Sequence, residues 1–241
     1  MSPRQPQKRE SIAASRGHHL ARAAACGTLL LICLAGLRMV FDRRLPAKCF
    51  DCVAPLVFAL CAAIVVLTSP AWQRRGRRQA GPAGRSVFWV AAGVAVGIYL
   101  LVVLGAQLRY PPWNAAPGWF VLWVWLKLIA AGLVAVAVAW LSVCVGRRAR
   151  DARAIVRRTK LLALLFAVQL LLGAGAWVTN YNWPAWFRYY VWSIDYTPDL
   201  LGPLQVWTTT AHLAVASLNL GVALSLALWS FAWTRREEER G

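Results

Sequence analysis

Apolar residues in this chain run in continuous blocks and do not alternate with polar ones. Six blocks, at 23–41, 53–69, 87–108, 119–146, 161–179 and 207–233, carry few charges. Each is long enough to cross a bilayer as a helix, which takes about 20 residues. Helices are the expected spanning form, because in lipid each backbone polar group must be satisfied within its own segment. Continuous runs also argue against a barrel, whose strands alternate. The predicted fold class is an all-α integral membrane protein with six transmembrane helices. The first block follows a basic N-terminus and could imitate a signal peptide. It shows no convincing cleavage site, so it is read as a span.

The blocks repeat in pairs. Leu104-Gly105-Ala106 and Leu172-Gly173-Ala174 each lie near the end of a block and are followed by a loop rich in Trp, Tyr and Pro. The next block then carries Lys127 in one case and His212 in the other. Leu34-Ala35-Gly36-Leu37-Arg38 is a weaker third copy, followed by a block that starts near Cys52. The six helices are therefore expected as three repeated hairpins, with the third to sixth forming a four-helix bundle. The expected organisation is a basic N-terminus (1–22), a first hairpin (23–70), a loop (71–86), the bundle (87–233) and a tail (234–241).

Composition agrees: 59% of residues are hydrophobic and 14 are Trp. The net charge of +18 would suggest nucleic acid in a soluble protein, but its placement points elsewhere. Arginines and lysines cluster before the first block, between the second and third (Arg74 to Arg85), between the fourth and fifth (Arg147 to Lys160) and after the sixth (Arg235 to Arg240). That alternation is the positive-inside pattern, with both termini cytoplasmic. The basic runs read as topology signal and lipid headgroup contact, and no nucleic-acid partner is expected. The other three loops should face outward. The aromatics Trp113, Trp119, Trp183, Trp186, Tyr189, Tyr190, Trp192 and Trp207 gather there, either as an interfacial belt or, over 180–206, as a lid.

Candidate chemistry is sparse. His212 is an ionisable residue inside a span; such residues are costly and usually face the bundle interior. Two readings stand: a ligand for haem iron or another metal, or a histidine bonded to a neighbouring hydroxyl or carbonyl. Lys127 either snorkels outward or points inward, neutralised or paired with a carboxylate. Gly36, Gly105 and Gly173 allow close approach of a helix or a flat ligand. Arg38 and Arg109 suit a carboxylate or a phosphate, a haem propionate or a lipid headgroup. Gln169, one turn before Gly173, needs a partner within the membrane. Cys49-Phe50-Asp51-Cys52 lies at the edge of the second block, as free thiols or a bridge. The middles of the blocks hold no carboxylate, which disfavours a proton-driven transporter.

The run Gln169-Leu170-Leu171-Leu172-Gly173-Ala174, followed by an outer loop and Thr210-Ala211-His212-Leu213, resembles the heme A synthase family of cytochrome oxidase assembly. That family folds as two similar four-helix halves. Each half holds a haem site between two histidines, one from each hairpin. The enzyme oxidises the methyl group of haem O to the formyl group of haem A, with electrons from a partner. Aligned on its hairpins, this chain looks like the family fold without the first one. Phe50 and Lys127 then stand at ligand places, and His212 is retained. The resemblance implies haem, haem b or a relative, with His212 on the iron and Lys127, Gly105, Gly173, Gln169 and Arg109 around it. It also implies cytochrome oxidase assembly proteins or a complementary membrane chain as partners, and a bacterial plasma membrane as the location. The alternative is a membrane scaffold or assembly factor without cofactor.

Overall fold

The computed structural model describes residues 27–28, 44–69, 72, 82–112, 114–150, 152–190 and 202–233. Regular structure among them is helical throughout: α1 (Arg44–Thr68), α2 (Pro82–Arg109), α3 (Pro117–Arg148), α4 (Arg153–Tyr181), the short α5 (Ala185–Tyr190) and α6 (Pro203–Trp233). All but α5 are long and apolar enough to cross a membrane, as an integral membrane protein requires. The expected first span, with Gly36 and Arg38, lies outside the described residues except for Gly27 and Thr28. Gly27 lies against α1, where a Cβ on it would stand 2.9 Å from Val57 Cγ2.

The helix α6 packs on α1, α2 and α4, while α3 packs on α2 and α4. Thus α2, α3, α4 and α6 close a ring in which each touches the next, and α1 lies outside it against α2 and α6. Lipid is as apolar as leucine, so close packing and polar contacts must hold such helices together. Small residues provide the close packing. A Cβ on Gly97 of α2 would stand 2.7 Å from Val134 Cγ2 of α3, and one on Gly221 of α6 would stand 3.1 Å from Phe58 Cε1 of α1. The buried face of α6 includes Ala216, Asn219, Ala223, Leu226 and Ser230, spaced alternately three and four residues apart as one helical face requires. Val65, Val96, Leu133, Val136, Leu164 and Leu171 are exposed. In a bilayer these are the lipid-facing positions.

All five long helices start earlier than the apolar blocks suggested, α1 by nine residues. Cys49 and Cys52 therefore lie inside α1, as free thiols. Arg153, Arg157, Arg158 and Lys160, expected in a loop, form the first turns of α4. Hydropathy marks the lipid-facing stretch and not the helix, and Arg and Lys are good helix formers. Arg158 is held in place by its own contacts. Its Nε donates to Ser225 Oγ (3.1 Å), its Nη1 to the Ala154 carbonyl (2.9 Å), and the guanidinium lies 4.5 Å from the centre of the Trp229 ring.

Candidate functional site

The pair α4–α6 is tied by polar contacts stacked down one face. Gln205 Nε2 donates to Asn180 Oδ1 (2.7 Å), and the hydroxyls of Thr179 and Thr208 lie 3.1 Å apart. Positions 205, 208 and 212 share a face of α6, as residues three and four apart do. This ladder fixes the register that brings His212 down onto α4. A Cβ on Gly173 would stand 3.2 Å from His212 Cε1. Only a glycine lets the imidazole lie this close without displacement. Asn182, at φ 71°, ends α4, and its backbone N–H donates to the Val178 carbonyl (2.9 Å).

Gln169 lies one turn below Gly173. Its amide nitrogen is 3.2 Å from His212 Nδ1 and 3.2 Å from Nε2. The two ring nitrogens flank Cε1, so a group equally close to both within the ring plane would overlap that carbon. The amide therefore lies across the face of the ring. The in-plane lone pair of the neutral imidazole stays free, because no other hydrogen bond reaches it among the described residues. Gln169 Oε1 is buried and also has no partner among them. An unmet acceptor in an apolar interior costs about 1–3 kcal/mol.

The pair α2–α3 repeats the arrangement with a different residue. Lys127 Nζ lies 3.4 Å from where a Cβ on Gly105 would stand. Lys127 is ten residues after Pro117 and His212 nine after Pro203. At about 1.5 Å per residue, both lie about 15 Å down their helices. Both thus lie more than two turns inside, because α3 and α6 start earlier than their apolar blocks. The residues of the repeat, separated in sequence, thus meet as two matched pairs, Lys127 on Gly105 and His212 on Gly173.

Arg109 takes a different place. Its Nη1 lies 3.3 Å from Asp51 Oδ2 of α1, and its side chain is 41% exposed. Beside it, Lys48 Nζ donates to Gln107 Oε1 (2.8 Å). These contacts dock α1 onto the ring. Phe50 belongs to α1, which is not part of the ring. On the α3–α4 side, Phe120, Trp177 and Tyr181 stack with centroids 4.9 to 6.3 Å apart. Trp113, Trp192 and residues 191–201 of the expected lid lie outside the described residues.

One polar residue of the interior was missed by reading for ionisable groups. Asn219 is fully buried, two turns below His212 on the same face of α6, and neither amide atom has a partner among the described residues. Its spacing of seven from His212 was the available signal. Among the described residues, no group of three His, Cys, Asp or Glu stands where it could hold a bare metal ion.

Searched against known proteins, the chain matches no family model, no curated protein and no solved structure.

Proposed function

We propose that this chain is a haem-binding integral membrane protein of the heme A synthase type, with His212 as the protein ligand to the iron. One observation carries the reading: an imidazole with its in-plane lone pair free rests on Gly173 inside a closed helical ring. A bare metal ion would need further protein ligands there, whereas a porphyrin supplies its own nitrogens. The residues fit the group. Gly173 and Gly105 let His212 and Lys127 pack closely against α4 and α2, and Gln169 braces the imidazole and keeps an acceptor with no partner among the described residues. Bound haem would supply the redox-active iron for oxidising a methyl substituent, with electrons from a partner. The chain's own part is to hold the iron by His212, fix the imidazole plane through Gln169 and Gly173, and exclude water with apolar walls.

In this reading the chain has six spans as three hairpins, with both termini and the arginine-rich loops cytoplasmic in a bacterial plasma membrane. In a cysteine-free background, a cysteine replacing Ala80 should react with a membrane-impermeant thiol reagent only after the membrane is opened. Labelling in intact cells would reverse the orientation.

A scaffold without cofactor is the second reading. It is favoured by Lys127 standing in the place matched to His212, where the resemblance implies a second histidine. Protein purified from haem-replete cells separates the two. A pyridine haemochrome assay should return about one haem per chain, since the ring offers one imidazole. Haem-free protein under those conditions favours the scaffold.

A further inference from the structure

The ring contains a cation and no anion. Among the described residues, Lys127 has no hydrogen-bond or ion-pair partner. The four ring helices contain no aspartate or glutamate at all. The nearest helix to offer a carboxylate is α1, and its Asp51 is already paired with Arg109 at the docking face. An ammonium at this depth in a bilayer is costly unless paired, and an uncompensated buried charge is strongly destabilising. Nζ is not turned out to the bilayer surface either, since it lies on Gly105 of the neighbouring helix. The ring helices supply no anion for Lys127, and a carboxylate on the ligand would supply one.

We propose that the ligand of this site carries a carboxylate and that Lys127 Nζ pairs with it, so that Lys127 selects for an acidic ligand and does not ligate the iron. This rests on the haem reading, in which a propionate supplies the carboxylate. It assigns the two matched positions different tasks. His212 recognises the metal through a lone pair, and Lys127 recognises the periphery of the macrocycle through charge. An ammonium presents donors and no acceptor, so it keeps its proton in this role, whereas iron ligation would require losing it.

The test compares haem with haem dimethyl ester, in which both carboxylates are neutral and the iron and ring are unchanged. Each is titrated into the purified full chain in detergent, as wild type, Lys127→Met and Lys127→Arg. The ratio of the two affinities is read, because the ester partitions differently into micelles and the ratio within one micelle type cancels this between variants. Wild type should favour the acid over the ester by about 10- to 100-fold more than Lys127→Met does, the range of a charge-assisted hydrogen bond. Lys127→Arg should keep most of that preference. Lys127→Gln serves where Lys127→Met fails to fold. An equal ratio in wild type and Lys127→Met, with haem still bound, overturns the proposal and leaves the haem reading standing. A low-spin spectrum in wild type that turns high-spin in Lys127→Arg would make the lysine an iron ligand and also overturn it. Absence of binding of either compound to wild type overturns both.

Discussion

Replacing His212 by alanine is expected to abolish the Soret band of the purified protein. The substitution removes the only imidazole on the ring helices, and Lys127, the other side chain there able to bind iron when neutral, is assigned to the carboxylate of the ligand. The loss of affinity should exceed about 100-fold, beyond the 10- to 100-fold typical of removing a supporting group. Gln169→Leu belongs to that lesser class, because it leaves the ligand and removes only the amide that braces the ring. The fold should survive both changes. The ring is held by the close approach of Gly97 and Val134 and by the Asn180–Gln205 and Thr179–Thr208 contacts, none of which involves His212. A Soret band unchanged in His212→Ala would place bound haem elsewhere in the chain.

The second large effect is steric. In Gly173→Val the added atoms meet the imidazole directly, since a Cβ alone would already stand 3.2 Å from Cε1. The Gln169 amide also contacts the ring, so it is held at two points. Overpacking of this kind costs about 1–3 kcal/mol, which corresponds to about 10- to 100-fold in haem affinity. Gly105→Ala is the control. There the Cβ meets Lys127 Nζ at 3.4 Å, an ordinary contact with the free end of a long side chain. Haem affinity should change by less than about twofold, because four rotatable bonds absorb the shift. Equal losses in the two variants would show that the glycines serve helix packing in general and not the placement of His212.

The contrast between these glycines bears on what the sequence made legible. Five of the expected spans were readable from apolar blocks alone, because bilayer thickness imposes their length. The association of Gly105 with Lys127 and of Gly173 with His212 was readable from their matched places in two hairpins. Repetition gave the register there, and the structure puts each side chain on its own glycine. The helix starts were not readable. Arg153 to Lys160 look like loop to a hydropathy argument, yet Arg158 finds a serine and a tryptophan face on α6, and only the folded neighbour reveals that. The role of Arg109 was hidden for the same reason. Its partner Asp51 is distant in sequence, and a guanidinium by itself suits a carboxylate of any origin. Asn219 was passed over because an amide carries no charge to draw notice, although burial without partners among the described residues is costly for both of its amide atoms.

The central claim is that one haem binds inside this ring through His212. The most direct measurement is a titration of haem into the reconstituted, haem-depleted full chain, followed at the Soret maximum alongside His212→Ala. The account predicts a saturable red shift ending at one haem per chain, absent from His212→Ala. A wild-type titration indistinguishable from haem partitioning into empty bilayers would contradict it.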